Sequence, residues 1–156
     1  MRAEAACLAL AMLLCAGVAD ARPGTATKYR PANLLGGYSD KEIEPGLWRI
    51  KARANGIAEP GFAQNMAIYR AAELLDARGF SHMQVVDQKG KSMSMGFGGA
   101  SPSYAGGDMT LWVRGAQDAA ASSQCQAKDA ALCFTVPVRR TLDRVRPFLT
   151  FPDDGT

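Results

Sequence analysis

Hydrophobic and polar residues alternate strictly between Trp48 and Ala54, which is the pattern of a half-buried β-strand. The apolar side carries Trp48, Ile50, Ala52 and Ala54. The other side carries only cations, which are Arg49, Lys51 and Arg53. These three side chains are candidates for binding the phosphates of anionic lipid or lipopolysaccharide. The alternative is an ordinary solvated strand face, which we favour because exposed strands often carry charges.

A helical period replaces this alternation after Pro60, a residue that the first turn of a helix tolerates. The apolar face is expected to carry Ile68, Ala71, Ala72 and Leu75, and the opposite face Asn65, Tyr69, Glu73 and Asp76. The helix is predicted to end near Arg78. Gly79 can adopt the left-handed conformation that closes a helix, and Phe80 can make the apolar contact that accompanies it.

Three more strands are predicted after this helix, around Met83–Val85, Met93–Phe97 and Met109–Val113. The glycine-rich segment between the last two, Gly96–Gly107, is predicted to be a flexible loop. A shorter helix is expected after Pro137, with Val138, Leu142, Val145 and Leu149 at helical spacing, and Pro147 should end it.

These elements predict an α+β fold, in which an antiparallel sheet of about four strands packs one main helix on one face. A short C-terminal helix completes it. Residues 22–46 are rich in Pro, Gly and Thr without a period, so we predict an extended N-terminal arm there. Residues 47–150 form the single domain, and residues 151–156 form a tail.

The N-terminus has the features of a cleavable export signal, because the apolar run Cys7–Val18 ends at the small residues Ala19-Asp20-Ala21. Residues 1–21 are therefore predicted to be removed, and the mature protein is expected in the periplasm or cell envelope. Loss of Arg2, Glu4 and Asp20 leaves one positive charge more than the +3 of the whole chain. So small a charge, in an exported protein, does not predict nucleic-acid binding.

A lipid anchor at Cys15 is the competing fate for this segment. Met12-Leu13-Leu14 precedes Cys15, whereas lipoprotein processing normally requires a small residue immediately before the cysteine. We therefore favour simple cleavage after Ala21.

Removal of the signal also removes Cys7 and Cys15, which leaves Cys125 and Cys133. An even pair in an oxidising compartment is most simply a disulfide. The alternative is a redox-active or metal-binding pair, but thioredoxin-like sites have only two residues between their cysteines.

Motifs that would indicate an enzyme are missing from the sequence. It contains no G-x-S-x-G, no H-E-x-x-H and no EF-hand loop. His82 is the only histidine, so any Ser-His or Cys-His mechanism would need it. We expect a protein without catalytic residues or a cofactor.

A periplasmic Cu(I)-binding protein is the alternative function, because thioether and imidazole groups suit this ion. The candidate ligands are His82, Met83, Met93, Met95 and Met109. The same methionines stand at alternate positions of predicted strands, where core residues are expected, and we favour the core interpretation.

Two short motifs give the chain a family resemblance. Gly36-Gly37-Tyr38-Ser39-Asp40 (GGYSD) precedes the strand start at Trp48, and Arg70-Ala71-Ala72-Glu73-Leu74 (RAAEL) precedes Gly79-Phe80. Through these motifs, residues 29–86 resemble a family of small envelope lipoproteins from Gram-negative bacteria. The function of that family is unknown. The resemblance implies an envelope location and a small α+β domain, but no catalytic residues. We interpret GGYSD as a structural turn, in which Gly36 and Gly37 permit unusual backbone angles and Tyr38 holds the arm against the core.

Together these observations predict a non-enzymatic envelope protein that contacts a protein partner or the anionic membrane surface. The surface used would be the basic strand face or the glycine-rich loop.

The signal prediction can be tested by the intact mass of the protein purified from its own cell envelope under non-reducing conditions. We expect a chain that starts at Arg22 and lacks two hydrogens because of the disulfide. An acylated chain that starts at Cys15 would contradict the predicted cleavage.

Overall fold

The computed structural model describes residues 25–91, 94–95, 103–104, 106–121 and 124–152. A five-stranded antiparallel sheet is formed by β1 (Gly36–Glu44), β2 (Leu47–Ala54), β3 (His82–Lys91), β6 (Gly107–Ala116) and β7 (Phe134–Pro137). Two short strands, β4 (Ser94–Met95) and β5 (Ser103–Tyr104), pair with each other. The helices are α1 (Phe62–Asp76) and α2 (Val138–Val145).

The strand order is β1-β2-β6-β3-β7, so the long strands β6 and β3 lie near the middle of the sheet. The α+β prediction is confirmed: α1 packs on one face of an antiparallel sheet, and a short second helix lies near the C-terminus. The main sheet has five strands instead of about four. Three of the predicted strands lie in it, as β2, β3 and β6, whereas β1 and β7 were not predicted. The described part of the predicted strand Met93–Phe97 is β4, which lies outside the main sheet.

The expectation that residues 22–46 form an arm without regular structure is wrong for Gly36–Glu44, which pairs with β2 along its whole length. The segment shows no hydrophobic alternation because β1 is an edge strand. Its side chains on the helix side include the polar Asp40, and the other side carries Ser39 and Lys41. The predicted turn at GGYSD is likewise wrong, because this motif opens β1.

The predicted alternation in β2 is confirmed. Ile50, Ala52 and Ala54 are buried, while Lys51 and Arg53 are exposed. Trp48 is half-buried at the edge of the core, and the Arg78 guanidinium lies 4.0 Å above the centre of its ring.

Three of the four residues of the predicted apolar face of α1 (Ala71, Ala72 and Leu75) are buried, and Ile68 is half-buried. The helix ends at Asp76, close to the predicted end. The Phe80 N–H donates to the Leu75 carbonyl at 3.1 Å, and Gly79 has a φ of 78°. No helix in the described part of the chain combines the length and the apolar composition needed to cross a bilayer.

Tyr69 is buried, although the sequence placed it on the solvent face of α1. The cause is an aromatic cluster formed by both ends of the domain. Tyr29 packs against Tyr69 and against Phe151, with ring centres 5.0 and 5.1 Å apart. The Tyr29 N–H also donates to the Thr150 carbonyl at 2.8 Å. Phe151, the first residue of the predicted tail, therefore packs against the domain.

Gly36 and Gly37 have φ values of 111° and 121°, which side chains disfavour. They are needed because an earlier part of the chain crosses β1 here. The Tyr38 N–H donates to the Arg30 carbonyl, and a Cβ on Gly37 would lie only 2.6 Å from that oxygen. The unusual backbone angles expected at these glycines are confirmed.

Residues of the two sequence motifs meet between β1 and α1. Arg70 Nε lies 2.8 Å from Asp40 Oδ1, and Arg70 Nη1 lies 2.7 Å from Glu73 Oε2. The Tyr29 hydroxyl donates to the same Glu73 oxygen at 2.7 Å, and the Arg70 guanidinium lies 4.9 Å from the Tyr38 ring centre. We call these residues (Tyr29, Tyr38, Asp40, Arg70 and Glu73) the Arg70 network.

Helix α2 ends before Pro147 as predicted, and Val138 and Leu149 are buried. Met93, Phe97 and most of the predicted loop Gly96–Gly107 lie outside the described residues. Within the described part, the loop prediction is wrong for Ser103–Tyr104, which forms β5, and for Gly107, which begins β6.

Burial, together with the hydrogen bond to Glu73, raises the pKa of Tyr29 above the ordinary tyrosine value of 10.0. The folded state therefore holds this proton more tightly than the unfolded chain. Its stabilising effect is complete below pH 10 and decreases as the pH rises above that value. We predict that Tyr29→Phe lowers the free energy of unfolding by about 1.5 kcal/mol at pH 7 and weakens the loss of stability above pH 10. Urea denaturation over this pH range measures both effects.

Tyr69→Phe is the matched control, because Tyr69 lies in the same aromatic cluster and its hydroxyl has only a long contact, 3.4 Å, with Arg146. Equal losses in the two variants would contradict a specific role for the Tyr29 hydroxyl.

Candidate anion-binding face

The sheet has two different faces because successive side chains of a strand point to opposite sides. Helix α1 covers one of them. We call the other the outer face, and it includes the predicted cations of β2. Strand register places Arg49 between Lys41 and Trp112. It also places Lys51 between Ser39 and Thr110 of the neighbouring strands.

Basic residues from four strands converge on the outer face. Its cations are Lys41, Arg49, Lys51, Arg53, Lys89, Lys91 and Arg114, and its carboxylates are Glu44, Asp87 and Asp108. Arg114 lies 3.6 Å from Glu44, and the Lys89 ammonium lies 5.2 Å from the Trp112 ring centre. Within the described ranges, the other cations of this face have no ion pair.

A shallow depression of about 300 Å³ lies in the outer face near one end of β2. Residues along its wall include Ala32, Ser39, Lys51, Arg53, Asp108 and Thr110. The ammonium, guanidinium and hydroxyl groups there are hydrogen-bond donors suited to phosphate or carboxylate oxygens. Asp108 is opposed to Arg53 in the register and contributes the one carboxylate of this wall.

The connection between β6 and β7 covers part of the outer face near β3. The Gln84 amide donates to the Ala121 carbonyl at 2.7 Å, and the Gln126 N–H donates to the Val86 carbonyl at 2.8 Å. Cys125 and Cys133 form the predicted disulfide within this connection. The cations of β2 lie outside this covered area, and Lys51 and Arg53 are exposed.

The structure does not bring the described copper-ligand candidates together. Met83 and Met109 are buried in the core, where they lie opposite Gly115 and Gly90 towards different ends of the β3–β6 pair. His82 begins β3, and its Nδ1 lies 2.9 Å from Ser81 Oγ. Met93 and the side chain of Met95 lie outside the described residues. Among the His, Cys, Asp and Glu side chains that the structure describes, no group of three or more is placed to hold a metal ion.

Sequence reasoning found the cations of β2 but missed those that other strands add. Lys89, Lys91 and Trp112 join the face only through strand register, which a single sequence does not specify. One signal was present in β6. The polar residues Asp108, Thr110 and Arg114 alternate there with the buried Met109, Leu111 and Val113.

Comparisons with protein-family models, with curated proteins and with solved structures gave no match to this chain.

The disulfide closes a short loop, so its removal should act mainly through the entropy of the unfolded chain. We predict that Cys125→Ser/Cys133→Ser lowers the free energy of unfolding by about 2–3 kcal/mol. Urea denaturation with and without dithiothreitol measures the effect. The reductant should destabilise the native protein by a similar amount and leave the variant unchanged. An equal effect of the reductant on both proteins would contradict this assignment.

Proposed function

We propose that this protein is a non-enzymatic, exported protein of the bacterial cell envelope that binds an anionic membrane surface through its outer face. The observation that carries the proposal is the set of unpaired cations on an uncovered part of the sheet. Lys51 and Arg53 are exposed there, and the described residues provide no carboxylate within ion-pair distance of either.

The spacing of these charges supports a multivalent anionic partner. Neighbouring strands lie about 4.8 Å apart, and alternate residues of one strand lie about 7 Å apart. These separations are shorter than the screening length of about 8 Å at physiological salt, so the cations repel one another. An anionic surface relieves this repulsion, and each basic residue near such a membrane contributes about 1 kcal/mol.

The breadth of the face favours a membrane surface over a small ligand. The cations come from β1, β2, β3 and β6, whereas the depression near Lys51 and Arg53 is shallow. Small-molecule sites are instead concave, and they bury most of the ligand surface. The copper alternative has less support, because His82, Met83 and Met109 do not converge.

The proposal predicts binding to vesicles that contain phosphatidylglycerol and little binding to vesicles of phosphatidylcholine alone. Binding should weaken as the salt concentration rises, because exposed charges are screened. The double variant Lys51→Glu/Arg53→Glu should lower the affinity for the anionic vesicles at least about 30-fold, which corresponds to the loss of about two favourable charges. Vesicle co-sedimentation measures both effects.

Arg140→Glu/Arg144→Glu is the matched control, because it makes the same change in net charge on α2, outside the outer face. In the described part of the chain neither arginine has an ion pair. The control should bind more strongly than the Lys51/Arg53 variant. Equal losses would show dependence on net charge alone, and preferential binding of an acidic protein over the vesicles would favour a protein partner. Either result would overturn the proposal.

A further inference from the structure

A tight turn between Asn33 and Gly36 carries leucine at both of its central positions. The two end residues exchange backbone hydrogen bonds, with N–O distances of 2.9 and 3.2 Å. Leu34 is 98% exposed and Leu35 is 40% exposed. The centre of a solvated turn usually carries Gly, Pro, Asn, Asp or Ser, because these residues fit its backbone or bond to it. Two leucines at these positions place apolar surface in water.

Hydrogen bonds hold this turn in place. The Leu35 N–H donates to Asn33 Oδ1 at 2.9 Å, and the Leu35 carbonyl accepts from Thr27 Oγ1 at 2.6 Å. Thr27 is itself buried and accepts from the Asn55 N–H at 2.8 Å. The exposure of the leucines is therefore fixed by the surrounding structure.

Ile57 adds a third apolar side chain at the same end of the sheet. Its N–H lies 3.3 Å from Asn55 Oδ1, and it is 55% exposed. Asn55 also contacts Thr27, which holds the Asn33–Gly36 turn. We call Leu34, Leu35 and Ile57 the apolar tip.

The apolar tip adjoins the basic part of the outer face. Gly36, which ends the turn, pairs with Ala54, directly after Arg53. Ala32, just before the turn, lines the depression that also contains Lys51 and Arg53. One end of the sheet thus combines exposed apolar side chains with unpaired cations.

We propose that the apolar tip inserts among the acyl chains of an anionic phospholipid bilayer while the neighbouring cations contact its headgroups. This inference rests on the proposed function and adds the depth and orientation of the bound protein. Charge complementarity identifies the headgroups as anionic. The projecting leucines identify the acyl region, because it removes apolar surface from water.

Removal of the most exposed leucine tests the insertion. Leu34→Ser should lower the affinity for phosphatidylglycerol vesicles about tenfold or more, because a buried leucine side chain is lost. Ile43→Ser is the matched control. Ile43 is exposed near the end of β1 that lies opposite the apolar tip, and its substitution should leave the affinity unchanged.

Insertion depth gives a second, direct measurement. Leu34→Trp should gain fluorescence on binding that brominated acyl chains quench, and the Ile43→Trp protein should show no such added quenching. The native tryptophans, Trp48 and Trp112, provide the background signal in both proteins.

The outcomes separate this inference from the proposed function. In one outcome, Lys51→Glu/Arg53→Glu weakens binding to the vesicles, Leu34→Ser leaves it unchanged, and no quenching occurs at position 34. This result overturns insertion and retains surface binding. Absence of native binding to anionic vesicles overturns both. In a third outcome, Leu34→Ser binds immobilised polyglutamate more weakly than the native protein does, and vesicles give no quenching at position 34. This result assigns the apolar tip to protein contact and overturns insertion.

Discussion

The ion pair between Arg70 and Asp40 is the interaction on which the arrangement of the domain depends. It joins the main helix to the edge strand β1, 30 residues earlier in the chain. Glu73 extends the connection to Tyr29. Because the network is partly buried, loss of one partner would leave another charge or hydroxyl without its hydrogen bond. Polar contacts thus hold the edge strand β1 against α1, because its sequence lacks a row of aliphatic side chains that could pack there.

This arrangement also affects the distribution of charge. Carboxylates on the helix side form ion pairs with neighbouring arginines. Asp40 and Glu73 pair with Arg70, and Asp76 lies 3.0 Å from Arg139. On the opposite side of the sheet, cations of neighbouring strands lie beside one another with few carboxylates. The basic character of the outer face therefore comes from a local excess of cations over carboxylates. The small net charge of the chain does not reveal this basic surface.

The sequence pattern predicted the elements whose structure depends on residues that are close together in the chain. Strand β2 alternates because one side is buried, α1 ends where Gly79 takes a positive φ, and the cysteines pair within a short loop. Strand β1 was missed because its side chains are mostly exposed, so it shows no apolar alternation although its partner β2 follows directly in the chain. Tyr69 was misplaced because residues distant in sequence, Tyr29 and Phe151, cover a helix face that is polar by sequence. The β2 cations of the site were predicted, whereas Lys89, Lys91 and Trp112 required the strand register.

The glycines of the GGYSD motif connect the Arg70 network with the apolar tip. Gly37 allows the chain around Arg30 to cross β1, and Gly36 ends the turn that presents Leu34 and Leu35. The next residues of the same strand are Tyr38 and Asp40, which contact Arg70. A tip attached through a flexible linker would lose orientational freedom on entering a bilayer, at a cost to binding. For the proposed insertion this loss has already occurred on folding, because hydrogen bonds from Thr27 and to Asn33 fix the turn that precedes β1. The Arg70 network in turn holds β1 against α1.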